Sequence, residues 1–234
     1  MKHLQTLFAV VKPVAASVVL LLCLPQWLYA TSVLQVDMEQ LLNDAAVIFE
    51  GEVIASEARW NDDNTYISTW VTFAVDDVIK GELPTDTIIQ SFAGGTVGDT
   101  SLNVSGMVYP ELGEKGIYFI EDPQRPQVNP IVGWSQGHFK VETDEYGTER
   151  MLTENNDPIQ GLEDTSPDNT PQQRAAQQSA LPLSEGAAQG LRVGSSTDAL
   201  NTAIDKNDFK KALKVRLSQV NATDAASDEA KAQK

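Results

Sequence analysis

Gly133-Trp134-Ser135-Gln136-Gly137 spells G-x-S-x-G, the pattern that presents a nucleophilic serine in α/β hydrolases. There the motif sits on a strand-to-helix turn, and its histidine lies far downstream. Here His138 follows directly, and Phe139, Val141 and Thr143 then alternate as a strand does. No βα repeats surround the motif. It therefore reads as a strand with glycines at a bulge or barrel bend. No catalytic residue is assigned from it. A small secreted hydrolase using Ser135 or a carboxylate pair stays as one alternative function.

His138 could also be a metal ligand or proton carrier. With no cysteine or second histidine beside it, a transition-metal site would need carboxylate partners. A solvent-facing strand histidine is the expectation. Asn61-Asp62-Asp63-Asn64 and Asp144-Glu145 with Glu149 are acidic turns, yet the spaced D-x-D-x-D-G calcium loop is missing. Asx residues are ordinary turn formers. No metal and no cofactor is expected.

The start of the chain has the layout of a secretory signal peptide. Lys2 and Lys12 give a basic opening, Val14 to Leu24 an apolar run, and Leu28-Tyr29-Ala30 a small-residue end. Pro13, Pro25 and Gln26 leave the run short of the roughly 20 apolar residues a membrane span needs. Cleavage after Ala30 is expected, leaving no stable membrane anchor and a periplasmic or extracellular protein. The leader carries Cys23, the chain's single cysteine, and His3. The mature chain then has no thiol and only His138 as histidine. Losing Lys2 and Lys12 moves the net charge from −16 to −18. Such a surface repels nucleic acid, which is not an expected partner.

The elements that would position these residues are mainly strands. Thr65 to Gly81 (TYISTWVTFAVDDVIKG) is the longest alternating run, with Ile67, Thr69, Val71, Phe73, Val75, Asp77 and Ile79 on one face. Asp37 to Ala46 reads as a short helix capped by Asp37. Val47 to Ala55 reads as a strand with Val47, Phe49, Gly51, Val53 and Ala55 on one face and Glu50, Glu52 and Ser56 on the other. The glycine marks a bulge or close backbone approach. These two strands should form a hairpin. Asp86 to Phe92, Ile117 to Glu121, Ile131 to Thr143 and Thr148 to Thr153 read as further strands. Between them, Ala93 to Gly116 is a long loop with an apolar patch at Met107, Val108 and Tyr109. The fold class is mainly β: a small OB-like antiparallel barrel with one short N-terminal helix, over residues 31–154.

Residues 155–194, rich in Pro and Gln, read as a disordered linker. A helical segment over 195–221 follows, with Phe209, Ala212, Leu213, Leu217 and Val220 at helical spacing. Residues 222–234 are expected to be a disordered tail. Lys206, Lys210, Lys211, Lys214 and Arg216 against Asp205 and Asp208 make this helix locally positive. The expectation is a solvated face opposite the apolar stripe; the functional alternative is a tethered helix that docks on the acidic barrel or in a partner's groove.

Ala46-Val47-Ile48-Phe49-Glu50-Gly51-Glu52-Val53, with Val78-Ile79-Lys80-Gly81 ending the long strand, resembles the opening of netrin-like or tissue-inhibitor-of-metalloproteinase OB barrels. The chain is also similar to uncharacterised exported bacterial proteins with that opening, a Gly94-Gly95 loop and a Gly133-to-Phe139 strand. The resemblance covers roughly Asp44 to Val141. It implies an OB fold and a binding role, with a protease as a possible partner class. The animal inhibitors chelate zinc through an N-terminal cysteine, which the mature chain lacks, so that mechanism does not carry over.

The expected function is a non-enzymatic exported binding module that engages another exported protein. Its expected contact residues are Met107, Val108 and Tyr109 in the loop and Phe209, Leu213 and Leu217 on the helix. A carbohydrate-binding envelope protein is a further alternative, with Trp60, Trp70 and Trp134 as a stacking face.

Overall fold

The computed structural model describes residues 33–163 and 186–232, with side chains to residue 222. The expected leader and the middle of the expected linker lie outside these residues. Among the described residues, no helix is long and apolar enough to cross a membrane.

The core is a six-stranded antiparallel sheet. Its strands are β1 (Val47–Trp60), β2 (Ile67–Lys80), β3 (Thr87–Ala93), β6 (Lys115–Ile120), β7 (His138–Thr143) and β8 (Glu149–Thr153). They lie side by side in the order β3-β2-β1-β6-β7-β8. A small hairpin, β4 (Gly95–Val97) with β5 (Thr100–Leu102), forms a separate two-stranded ladder against β1 and β2. The mainly β class is as the alternation indicates. The sheet is not closed into a barrel. At β8, Met151 N–H donates to Ile204 O at 3.1 Å, so a later segment of the chain takes the place a closing strand would need.

The β1–β2 hairpin turns as the Asn-Asp run suggests. Asn61 Oδ1 accepts from Thr65 N at 2.8 Å and Tyr66 N at 3.1 Å, and Asn64 takes a left-handed φ of 53°. Gly51 is the expected close approach, because a Cβ there would collide with the Ala74 carbonyl. The ladder is irregular nearby. Glu50 pairs with Asp77 and Gly51 with Val75, which leaves Asp76 as an extra residue. That bulge reverses the facing of the end of β2.

Both faces of the sheet are buried, against different partners. On one face Phe49, Val53, Val71, Phe73, Ile88, Phe92 and Tyr118 cluster under Met107, Tyr109 and Leu83 from the loops. On the other, Ile48, Ile117, Phe119, Phe139 and Met151 pack against two helices. These are α1 (Met38–Asp44), capped by Asp37 Oδ1 accepting Gln40 N at 2.7 Å, and α2 (Lys206–Ala232), capped by Asp205 Oδ1 accepting Asn207 N at 2.7 Å.

Two expectations about chain order change. The ends of the proposed linker are structured: β9 (Ile159–Leu162) pairs with β10 (Leu191–Val193), and Ile159 and Leu191 are buried in the helix-side core. The helix also runs beyond the expected limit of 221, to Ala232.

Candidate functional site

His138, singled out for chemistry, sits in a polar cluster whose other members, Glu114, Tyr118, Lys140 and Glu154, the sequence did not single out. His138 opens β7 and pairs with Tyr118 of β6, so the two side chains share one face of the sheet. His138 is 1% exposed, not solvent-facing. Its ring stacks on Tyr118 of β6 at 5.1 Å between centroids. Nε2 lies 2.6 Å from Glu114 Oε1, and the Tyr118 hydroxyl donates to the same oxygen at 3.0 Å. An ionised carboxylate only accepts, so Nε2 carries the proton in this pair. Lys140 Nζ stands 3.9 Å from Glu114 Oε2 and 3.9 Å from Glu154 Oε1.

Burial alone would raise the Glu114 pKa. Hydrogen bonds from His138 and Tyr118 and the charges of His138 and Lys140 outweigh it and hold the carboxyl below its usual range. Burial and the adjacent Glu114 charge push the Tyr118 hydroxyl far up, so it stays protonated. A groove of about 510 Å³ opens beside Glu114, lined also by Glu111, Leu112, Lys140 and Asn156. His138 does not line it. The ring is buried behind Glu114 and Tyr118, and it orders the groove's wall through Glu114.

The G-x-S-x-G stretch has a structural task. Trp134–Gly137 forms a 3₁₀ turn entered through Gly133 at φ 63°. Gln136 is fully buried and ties down the segment before α1. Its Oε1 accepts from Val36 N at 2.9 Å, and its Nε2 donates to Leu34 O at 2.9 Å and Gly133 O at 3.1 Å. Gly137 has no space for a Cβ, which would meet the Val132 carbonyl. No hydrogen bond joins the Ser135 hydroxyl to His138 among the described residues.

The acidic turns are closed on themselves. Asp144 Oδ1 accepts from Tyr146 N and Thr148 N, each at 2.9 Å, and Oδ2 pairs with Arg150 Nε at 2.8 Å. The bond from Thr148 N–H, then that from Arg150, lowers the Asp144 pKa. Among the described residues, no three His, Asp or Glu side chains converge on a cation site. Among the described residues, no ring contact joins Trp60, Trp70 and Trp134. The Arg59 guanidinium covers Trp70 at 4.1 Å.

The six expected contact residues divide into two groups. Phe209, Leu213 and Leu217 are buried in the chain's own core with Phe139, Met38 and Leu42, so the helix docks on its own sheet and these side chains are not at the surface. In the loop, Met107 and Tyr109 are anchored. Met107 Sδ accepts from Asn129 Nδ2 at 3.5 Å, while the Tyr109 hydroxyl donates to Ala93 O at 2.9 Å and its ring meets Phe92 edge-on at 6.0 Å. Val108 between them points outward, 38% exposed.

The positive side of α2 accounts for a cluster that sequence reasoning did not locate. Glu50 is buried on the helix side of β1, where Lys206 Nζ and Lys210 Nζ each reach one of its oxygens at 2.5 Å. Lys210 also pairs with Asp77 Oδ2 at 2.7 Å, and Lys206 with Glu149 Oε2 at 2.5 Å. Burial would raise the Glu50 pKa, but the two ammonium groups pull it below normal. The available signal was spacing. Lys206, Lys210 and Lys214 recur every fourth residue, one row along a helix face.

No family model, curated protein or solved structure matches this chain.

Proposed function

We propose that this chain is an exported, non-enzymatic binding module that engages another exported protein through the connection between β3 and β6. The observation that carries this reading is a preordered loop with an apolar outer surface. The connection is pinned by the β4–β5 ladder, by Tyr109 on Ala93 and by Met107 against Asn129. Yet Leu102, Val108 and Leu112 stay exposed, Leu112 by 70%. A loop already held in place loses little conformational entropy on docking, so apolar contact there converts efficiently into affinity. The buried helix residues leave the loop as the contact surface. Export is supported by the leader-like opening of the sequence. A protease is the first partner class to test, because the sequence resemblance points there.

The test is capture of exported proteins on immobilised chain, with Val108→Glu and Leu112→Glu beside the wild type. Both positions are exposed, so both variants should fold. The reading expects a stoichiometric partner that each variant loses. A partner held equally by all three forms, or no partner at micromolar bait, overturns it.

A further inference from the structure

The two edges of the sheet are treated differently. At β8 the outer side is occupied: Met151 N–H donates to Ile204 O, Arg150 bridges Asp205, and Leu152 bridges Pro158. At β3 the pairing parity can be read directly. Gly94 N–H donates to Ile67 O at 2.8 Å, and Val75 N–H donates to Asp86 O at 2.9 Å. In the same register Phe92, Gln90 and Ile88 therefore exchange bonds with β2, while Thr87, Ile89, Ser91 and Ala93 aim their peptide groups away from it. Ala93 is satisfied by Val128 O and the Tyr109 hydroxyl, and Thr87 O accepts from the Thr85 hydroxyl. The N–H and C=O groups of Ile89 and Ser91 have no partner among the described residues. The Ile89 side chain is 54% exposed.

Natural edge strands are guarded by charges, proline or covering loops. Thr87-Ile88-Ile89-Gln90-Ser91-Phe92-Ala93 has no charge and no proline, in a chain of which 21% is charged. We infer that β3 pairs edge to edge with β3 of a second copy of this chain, antiparallel, about a two-fold axis at Ile89.

The occupant follows from self-complementarity. With the axis at Ile89, its N–H donates to Ile89 O of the second copy, and the reverse bond forms by symmetry. Thr87 then faces Ser91 of the second copy at both ends, and the outward parity of all three residues matches. The two exposed Ile89 side chains meet on the outer face, each covering the other. The open window ends where Val128 already holds Ala93, so a short symmetric segment fits it. The strand's neutrality leaves the pairing locally unopposed, while the net charge of −16 on each copy opposes it at long range. Added salt should therefore strengthen the dimer by screening that repulsion. The inference does not depend on the loop-mediated binding proposed above.

Sedimentation of the full chain across concentration, at low and high salt, tests it. The expected result is a monomer–dimer equilibrium that tightens with salt, with Ile89 and Ser91 amides protected from hydrogen exchange only in the dimer. Ile89→Pro removes one outward N–H from each copy. It leaves the bonds to β2 intact, and proline is tolerated at such edge positions. It should weaken the dimer about tenfold or more, through the two lost bonds. Ile89→Lys keeps the backbone and sets two charges at the axis, and should also yield monomer. Val108→Glu should leave the dimer unchanged. A wild type that stays monomeric at all concentrations and salts overturns the proposal, even if its Ile89 amide becomes protected on adding a foreign protein. So does a dimer that both Ile89 variants retain.

Discussion

Glu50 and Asp77 face each other across β1 and β2, two carboxylates of adjacent strands held together by Lys210, which reaches Glu50 Oε2 at 2.5 Å and Asp77 Oδ2 at 2.7 Å. Like charges directly opposite on a sheet repel. The helix resolves that by sending one ammonium group between them. Lys210→Met keeps the apolar stem and removes only that charge. It should cost about 1–2 kcal/mol, measured as a lower urea midpoint, because Lys206 still holds Glu50 and solvent screens Asp77. Replacing Lys214, which is half exposed and 3.6 Å from Asp77, should change stability by less than about 0.5 kcal/mol.

The same network sets a pH dependence with a definite sign. The pKa values of Glu50, Asp77 and Glu114 are all lowered in the folded chain. Their contribution is complete above the unfolded values of about 4.3 for Glu and 3.9 for Asp, and is lost as pH falls through the lower folded values. Lys206 and Lys210 are shifted upward, their bonds and charges with Glu50, Glu149 and Asp77 overcoming burial. Their contribution is complete below about 10.4 and is lost as pH rises past it. Thermal midpoints should therefore fall on the acid side below about pH 4, and Glu50→Gln should flatten that limb. An acid limb unchanged in Glu50→Gln would remove Glu50 from this account.

His138 and Glu114 are coupled by burial. His138→Ala should cost about 3 kcal/mol, since it opens a cavity beside Tyr118 and strips a donor from a largely buried carboxylate. Glu114→Gln should cost less, because an amide oxygen still accepts from Nε2–H and the Tyr118 hydroxyl. Nitrogen-15 shifts of the imidazole should show a proton on Nε2. An Nδ1–H tautomer would refute the assignment.

Gln136 holds the entry to α1 by both ends of its amide. Gln136→Ala should leave Val36 N–H and Leu34 C=O without their partners, at a cost of about 1–3 kcal/mol. Limited proteolysis should then cut near Leu34 faster than in the wild type. Ser135→Ala, one residue away, should leave that rate unchanged.

Much of the sheet was legible because its strands alternate over many residues. Ile67 to Phe73 gives an inward face that is buried as read. The limits were local. One extra residue, Asp76, reverses parity, so Asp77 belongs with the helix-facing residues and not with Ile67. Glu50, read on the outer side of its strand, is indeed on the face opposite Phe49, but that face is covered by α2. His138 read as exposed because one strand's pattern does not reveal what covers its face, here Tyr118 stacked on the ring and Glu114 bonded to it. β9 and β10 escaped because each is short and their partners are far apart in sequence. The buried role of Phe209, Leu213 and Leu217 was half visible: helical spacing gave the stripe, and only the fold shows what it rests on.

In chain order α2 follows every strand it covers. A chain emerging residue by residue therefore presents Ile48, Phe119, Phe139 and Met151 long before Phe209, Leu213 and Leu217 exist to cover them. Until then that side of the sheet is covered only in part, by α1, and the carboxylates of Glu50 and Asp77 face each other without Lys210. Completion of the fold waits for the helix.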